Sequence, residues 1–102
     1  MSQKFVQIVD FETRRFDEMK ALLDRFEQRM AGETGGPTHR ILLQDRDHAG
    51  RYLAVIEFES PDEAKRSDAR PEVAQLNEQL TALCTRPPSF GNFDVKDARE
   101  LK

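Results

Sequence analysis

Apolar residues along the chain follow two spacings, one typical of strands and one typical of helices. The segment from Lys4 to Phe11 is short and rich in β-branched and aromatic residues, which predicts a strand. After it, apolar residues recur three or four positions apart, which places them on one face of a helix. These residues are Phe16, Met19, Leu22, Leu23, Phe26 and Met30. The pattern stops at Gly32, and Gly35-Gly36-Pro37 predicts a loop.

The middle of the chain carries two further strand patterns. His39 to Gln44 has Ile41-Leu42-Leu43 at its centre, and Tyr52 to Glu59 is rich in aromatic and aliphatic residues. The intervening stretch is polar and ends in Ala49-Gly50, which predicts a turn. Because strands joined by so short a link pair with each other, we expect an antiparallel hairpin.

The second helical region begins with the clearest local signal in the chain. Ser60 is a typical N-cap residue, Pro61 suits the first helical position, and Glu63 is placed to close a capping box. Pro71 lacks the N–H that a helix interior needs. The sequence therefore predicts a short helix, a bend near Asp68 to Arg70, and then a second helix.

The C-terminal part of the chain completes the element order. Four apolar residues share one face of the helix after the bend. They are Val73, Leu76, Leu80 and Leu83. Pro87-Pro88 ends this helix, and Phe90, Phe93 and Val95 predict a weaker last strand before a charged tail.

The resulting order of strand, helix, strand, strand, helix and strand predicts an α+β fold. It is typical of a ferredoxin-like sandwich, with helices on one side of an antiparallel sheet. At 102 residues, we expect residues 1–102 to form one domain. Ile41-Leu42-Leu43 and Leu53-Ala54-Val55-Ile56 put apolar side chains on both faces of the sheet, although helices cover only one. The sequence therefore predicts that a second copy of the chain covers the other face, as a homodimer.

Charge and composition narrow the function classes. Charged residues make up 34% of the chain, but the net charge is only −3 and the pI is about 5.4. No basic field is present to attract a phosphate backbone, so we expect no nucleic-acid partner. Met1 to Phe11 does not read as a signal peptide, and no segment approaches the ~20 apolar residues of a membrane helix. We therefore expect a cytoplasmic protein without a membrane partner.

RNA-recognition domains share the predicted strand order and offer a direct comparison. Their third strand carries two aromatic residues that stack on bases. The matching stretch here is Arg51 to Phe58, in which Leu53 and Val55 occupy those two positions. Aliphatic side chains have no π face, so RNA binding is disfavoured. In this topology Leu53 and Val55 point away from the helices, which makes them the predicted dimer-interface residues.

The chain as a whole, from Lys4 to Lys96, resembles the dimeric α+β barrel superfamily. Within that superfamily it is similar to the antibiotic-biosynthesis-monooxygenase-like group. Three segments carry the resemblance: Phe5-Val6-Gln7-Ile8-Val9, Glu57-Phe58-Glu59-Ser60-Pro61-Asp62-Glu63-Ala64 and Ala69-Arg70-Pro71-Glu72-Val73. These segments are fold motifs rather than catalytic signatures.

The resemblance implies an architecture more closely than a reaction. Members pair their sheets into a barrel across a two-fold axis, and each subunit holds a pocket between sheet and helices. Some are cofactor-free monooxygenases acting on aromatic polyketides or quinols, and others degrade haem. The oxygenases commonly use a pocket tryptophan, which this chain lacks. The haem-degrading members use an Asn, a Trp and a His; Gln7 occupies the expected Asn position, and neither histidine lies in the second helix.

Three residues are candidates for lining a ligand pocket. His39 opens the second strand and is a possible proton shuttle, because histidine titrates near neutral pH; the alternative is a solvent-exposed strand end. Tyr52 is expected on the helix-facing side of the third strand, with its hydroxyl orienting a ligand or lying at the rim in water. Gln7 on the first strand is a weaker candidate, because it is equally compatible with a solvent-facing position.

Two other groups of residues have simpler structural explanations. Asp45, Asp47 and His48 cluster in the hairpin turn, but Ile56 falls where a calcium loop needs its bidentate Glu, and zinc lacks further ligands. Turn chemistry accounts for these residues, so we expect no metal site. Cys84 lies at the end of the last helix and is expected to be a small buried filler rather than a nucleophile.

The sequence thus favours a homodimer that binds a small apolar or aromatic organic ligand between sheet and helices. A cofactor-independent monooxygenase-like activity without any bound cofactor is one form of this function. A non-catalytic binding or interaction module on the same fold is the alternative. The catalytic residues are not identified by any motif in the chain.

Overall fold

The computed structural model of the chain describes residues 4–102. Met1 to Gln3, which belong to the N-terminal segment considered above, lie outside the described residues. The described part contains seven elements in chain order. They are β1 (Phe5–Glu12), α1 (Phe16–Met30), β2 (His39–Gln44), β3 (Arg51–Phe58), α2 (Pro61–Asp68), α3 (Pro71–Ala82) and β4 (Ser89–Asp94).

The sheet is antiparallel throughout, with the strand order β2-β3-β1-β4. This order confirms the predicted ferredoxin-like α+β fold. β1 and β3 pair over eight residues, from Phe5 opposite Phe58 to Glu12 opposite Arg51. β1 begins and ends one residue later than the predicted segment from Lys4 to Phe11. β3 begins and ends one residue earlier than the predicted segment from Tyr52 to Glu59.

The predicted interruption of the second helical region is confirmed. α2 ends at Asp68 and α3 begins at Pro71. Ser60 caps α2, since its hydroxyl accepts the Glu63 N–H at 3.2 Å. The Glu63 carboxylate does not complete a capping box; it pairs with Arg66 and accepts the Gly36 N–H. Glu63 therefore ties the loop between α1 and β2 to α2.

Thr13, just beyond the end of β1, joins three parts of the chain. It is 2% exposed, and its backbone N–H donates to the Gly50 carbonyl in the turn between β2 and β3 at 3.0 Å. Its hydroxyl donates to the Leu83 carbonyl at 2.7 Å and accepts the Arg15 N–H. These bonds fix the start of α1 and the end of α3 against the same corner of the sheet.

The register divides the side chains of the sheet into two faces. On the inner face, Gln7 and Arg40 both lie opposite Ile56, in a row that looks toward the helices. The core lies on this face, where Phe11 packs with Met19 and Ala54. Within residues 4–102, no helix is long and apolar enough to cross a membrane.

Candidate functional site

A cavity of about 160 Å³ lies between the inner face of the sheet and the helices. Its wall is mainly apolar and is built by β1, β2 and β3 on one side and by α1 and α3 on the other. The central wall residues are Val9, Leu42, Ala54, Ile56, Leu76 and Leu80. An apolar cavity of about 150 Å³ accommodates benzene, so this one is large enough for a small ring compound.

The break between α2 and α3 contributes to the shape of the cavity. Ser67 and Asp68 at the end of α2 line it, as do Val73 and Leu76 of α3. Ser67 is buried, and it also borders a second, more polar cavity under the loop between α1 and β2. Two short helices, α2 and α3, therefore both border the cavity. A single straight helix would cross it in one direction only.

Arg40 is the basic residue of the cavity wall among the described residues. Its Nε lies 2.9 Å from Glu27 Oε2, and its Nη2 donates to Asp24 Oδ1 at 3.4 Å. Its Nη1 is buried and has no hydrogen-bond partner within residues 4–102. A buried donor without a partner is uncommon in folded proteins.

The carboxylates around Arg40 are themselves held by cations. Lys20 Nζ lies 2.8 Å from Asp24 Oδ2, and the Lys20 ammonium, with a smaller contribution from Arg40, holds the pKa of Asp24 below its ordinary value. Two cations, Lys20 and Arg40, thus face two carboxylates, Asp24 and Glu27. The cluster is neutral as a whole, although it includes a guanidinium with one nitrogen unused.

Cys84 also lines the cavity, but its thiol is not activated as a nucleophile. Its thiol donates to the Leu80 carbonyl at 3.4 Å, and burial raises the pKa of the thiol above its ordinary value. A raised pKa favours the neutral thiol at physiological pH, whereas a nucleophilic cysteine needs the thiolate. The residue therefore contributes packing rather than a reactive group, and it is half-buried rather than fully enclosed.

The three sequence-predicted pocket residues occupy different places. Gln7 lines the cavity, and its Nε2 lies 3.4 Å from Asn92 Oδ1 on β4. Tyr52 is on the inner face, but its ring is stacked between Phe11 and Phe16, at centroid distances of 5.6 and 4.5 Å. The structure therefore builds the Tyr52 ring into the core beside the cavity wall, with its hydroxyl 3.4 Å from Gln44 Nε2.

His39 lies on the opposite face of the sheet from the cavity. Its side chain is exposed, and its Nδ1 is 2.9 Å from Glu57 Oε1. Glu57 also accepts a hydrogen bond from the Thr38 hydroxyl, and the hydrogen bonds from Thr38 and then His39 hold the Glu57 pKa below its ordinary value. This placement agrees with the alternative of a solvent-exposed strand end, because the strand phase puts Arg40 and not His39 toward the helices.

The turn between β2 and β3 uses its carboxylates for internal contacts. Asp45 accepts the Asp47 N–H at 2.8 Å and pairs with Arg51 Nη1 at 2.9 Å. Among residues 4–102, no group of three or more His, Cys, Asp or Glu side chains is arranged to hold a metal ion. The geometry of this turn is that of an Asx turn with an added ion pair.

The outer face of the sheet is apolar at its centre and covered by no element of the described chain. Ile8, Val55 and Ile41 lie side by side across three strands, and Leu53 lies beside Leu43. Ile41 is 54% exposed and Leu43 is 43% exposed. We refer to these five residues as the outer apolar patch.

Ion pairs border the outer apolar patch. Arg51 binds Asp10 through Nε and Nη2, at 3.1 and 2.7 Å, and Asp45 through Nη1. At the opposite end, Lys4 and His39 both contact Glu57. These charged groups beside the patch are therefore paired within the chain.

No protein-family model matches the sequence, and no curated protein sequence matches it. Solved structures, in contrast, match over nearly the whole chain, and they identify its fold. The chain has the fold of the antibiotic biosynthesis monooxygenase-like proteins, which confirms the expected resemblance at the level of the fold.

Three of these structures illustrate the match. SnoaB, a cofactor-independent oxygenase from Streptomyces nogalater, is 20% identical with a TM-score of 0.77, covering 95% of this chain and 97% of that one. Rv0793 from Mycobacterium tuberculosis is 20% identical with a TM-score of 0.74, covering 95% and 99%. A provisionally named antibiotic biosynthesis monooxygenase from Caulobacter crescentus is 10% identical with a TM-score of 0.78, covering 94% and 92%.

The sequence analysis did not single out Arg40 as a site residue. Arg40 stands two residues before Leu42, so the two side chains share a face of β2. Because Ile41 and Leu43 make the other face of β2 equally apolar, this spacing does not show which face looks toward the helices. What the sequence did not reveal is that two carboxylates of α1 take up only two of its three nitrogens.

Proposed function

We propose that the chain binds a small apolar or aromatic organic molecule in the cavity between the sheet and the helices. The observation that carries this proposal is the cavity itself, which is apolar, about 160 Å³ in volume and bordered by few polar groups. Such a combination is typical of small-molecule sites, in which apolar walls give affinity and a few polar groups give orientation. Gln7 and Arg40 are the polar groups we assign to ligand contact.

The reaction we propose for this site is cofactor-independent oxygenation of the bound molecule. It is supported by the fold shared with SnoaB, which is a cofactor-independent oxygenase, and by a cavity whose mainly apolar wall suits an aromatic ring. The proposal includes the absence of a bound cofactor and the cytoplasmic location expected from the sequence. An unpaired cysteine, Cys84, is compatible with a reducing compartment.

A non-catalytic binding module is the second candidate, and one observation favours it. The described cavity wall contains neither of the two histidines, and its cysteine is held as a neutral thiol. The described cavity wall therefore offers no histidine as the general base that proton abstraction from a substrate needs; its ionisable oxygens are those of Glu27 and Asp68.

Oxygen consumption separates the two candidates. Purified protein would be incubated with a panel of hydroquinones and polyphenols while dissolved oxygen is recorded. Turnover that Gln7→Leu reduces and His39→Ala leaves unchanged supports an oxygenase acting in the cavity, because His39 lies on the other face. Saturable binding without oxygen consumption supports the module. Absence of both binding and turnover for every compound contradicts the proposed ligand class.

The proposal includes a homodimer formed through the outer face, with Leu53 and Val55 at its centre. An apolar patch left open by a chain of this size is typical of an interaction surface, and a two-fold dimer covers it with the same patch of a second copy. The charged groups around the patch support this occupant. Because Arg51 and Glu57 are already paired within the chain, two copies meet without bringing unpaired like charges together.

A further inference from the structure

We propose that Arg40 is the ligand-recognition residue of the cavity, and that it selects small ring compounds bearing a neutral carbonyl oxygen. This inference rests on the proposed ligand-binding function, which it makes more specific. The observation behind it is the buried Nη1 of Arg40, which has no partner within residues 4–102 in a side chain that lines the cavity.

The geometry of the guanidinium explains why this nitrogen is the one left over. Glu27 takes Nε and Asp24 takes Nη2, both from α1 on one side of the side chain. Nη1 is the third nitrogen of the planar fork and carries two N–H donors. Since burial of an unsatisfied donor is unfavourable, a ligand acceptor that reaches Nη1 satisfies a donor that has no partner within residues 4–102.

An acceptor in the cavity reaches Nη1 only when the guanidinium moves. Nη1 is buried, so contact with a ligand requires the guanidinium to tilt away from its 3.4 Å contact to Asp24. That contact is the longer of the two ion pairs, and Asp24 keeps Lys20 as a second partner at 2.8 Å. The contact to Asp24 is therefore the one we expect to yield.

The charges around Arg40 decide what kind of acceptor it takes. Lys20 and Arg40 together balance Asp24 and Glu27, so the cluster offers an N–H donor without a net positive charge. An anionic ligand would approach the Glu27 carboxylate, which itself lines the cavity, and would be repelled. A neutral carbonyl accepts the N–H without that repulsion, and the apolar wall receives the ring that carries it.

Two probes of nearly equal shape test this inference. Acetophenone and α-methylstyrene differ in a C=O group against a C=CH₂ group, so only acetophenone accepts a hydrogen bond. The quantity to measure, by calorimetry or by displacement of a fluorescent probe, is the ratio of their dissociation constants. Comparing this ratio between variants cancels the different hydration of the two probes.

In Arg40→Met, the preference for acetophenone should fall about tenfold relative to the unsubstituted chain, as expected for one hydrogen bond to a charged donor. Arg25→Met is the matched control. It makes the same substitution at an exposed position of α1 that does not line the cavity, so Arg40 and its partners stay in place. This variant should keep the preference within about twofold. A purely structural role of Arg40 would weaken both probes alike in Arg40→Met and leave the ratio of their dissociation constants unchanged.

The remaining outcomes are distinct. If Arg40→Met binds both probes with an unchanged ratio, the inference is overturned and the cavity remains a binding site. If neither probe binds the unsubstituted chain, the proposed function fails together with the inference. Should Arg40→Met not fold, the carbonyl stretching frequency of acetophenone bound to the unsubstituted chain replaces the variant, because a hydrogen bond to the carbonyl lowers that frequency. A frequency no lower than that of acetophenone in an apolar solvent would equally overturn the role of Nη1.

Discussion

The two faces of the sheet each carry an arginine between two carboxylates, and the two arginines differ in one respect. On the outer face, all three nitrogens of Arg51 are bound, two by Asp10 and one by Asp45. On the inner face, Arg40 binds Glu27 and Asp24, while its Nη1 has no partner within residues 4–102. Every guanidinium nitrogen of Arg51 therefore has a partner, which we call the closed network. Arg40 has one nitrogen without a partner within residues 4–102, which we call its open donor.

The two faces of the sheet also differ in what covers their apolar residues. The inner face is covered by helices, with a cavity between them and the sheet. The outer face pairs its strands regularly, but no element of residues 4–102 covers it. A cavity takes a molecule smaller than the protein, and an open flat patch takes a surface of comparable size. In the proposed function, the ligand therefore binds at the inner face and the second copy at the outer face.

The largest expected effect is on association through the outer face. Leu53→Asp combined with Val55→Asp should convert a dimer of about twice 11.8 kDa into a monomer, weakening association at least about a hundredfold. Each carboxylate would be buried twice in a two-fold interface, which explains the size of the effect. Analytical ultracentrifugation at micromolar concentration measures it.

The control for this experiment is Ala49→Asp in the exposed turn between β2 and β3. It adds a carboxylate outside the patch and should leave the sedimentation coefficient unchanged. A monomer already in the unsubstituted chain, or a dimer that persists in the double variant, would show that the outer face is not the interface.

The next effect concerns the two sides of one strand. Ala54→Phe places a ring in the cavity and should weaken binding of an aromatic probe at least about tenfold, which corresponds to about 1.4 kcal/mol. Leu53→Phe introduces the same ring at the neighbouring position on the outer face. It should leave probe affinity within about twofold. Equal weakening in both variants would contradict the separation of functions between the faces.

A smaller effect is expected from the closed network around Arg51. Arg51→Met should lower the free energy of unfolding at pH 7 by a small amount, because it removes the partly exposed ion pairs with Asp10 and Asp45. Urea denaturation at a fixed protein concentration measures the change. The same substitution should also change how stability depends on pH.

The sign of this pH dependence follows from Asp10. The hydrogen bonds from Arg51 hold the Asp10 pKa below its ordinary value of 3.8, so the unfolded chain takes up a proton at higher pH than the folded chain. The stabilisation is therefore present above the ordinary pKa and is lost as the pH falls through the lower, folded value. In Arg51→Met this decline below the ordinary pKa of 3.8 should be shallower. An unchanged slope would show that the pair contributes nothing to acid stability.

The smallest expected effect is that of Tyr52→Phe. The ring remains stacked between Phe11 and Phe16, and the substitution removes only the hydroxyl, which lies 3.4 Å from Gln44 Nε2. Stability should change by less than about 0.5 kcal/mol, and probe affinity should be unaffected. A tenfold weakening of probe binding would instead return Tyr52 to the ligand-contacting role that its sequence position suggested.

The sequence predicted the elements and their order well because local signals were strong. The bounds of β2 and α1 match their apolar patterns, and Ser60 and Pro71 mark the beginning of α2 and of α3. The orientation of the side chains was harder to predict. Ile41-Leu42-Leu43 is apolar on both faces, so β2 alone does not show which side faces the helices; pairing of Arg40 with Ile56 decides it.

The candidate site was only partly readable for a related reason. Gln7 and Tyr52 were both considered for the inner face, and both lie there. Whether an inner-face residue borders empty space or packs in the core depends on residues distant in sequence, such as Phe11 and Phe16 around Tyr52. The open donor of Arg40 likewise depends on where α1 places Asp24 and Glu27, which no spacing within β2 encodes.

The hydrogen bonds of Thr13 report on how the protein unfolds. Its bonds to Gly50 and Leu83 connect parts of the chain that are far apart in sequence, so they form only when the turn and the end of α3 are both in place. Fraying of either chain end leaves them intact, whereas separation of α3 from the sheet breaks them. The amide protons of Thr13 and Arg15 should therefore exchange with deuterium at the rate of global unfolding, and serve as reporters of the completed fold.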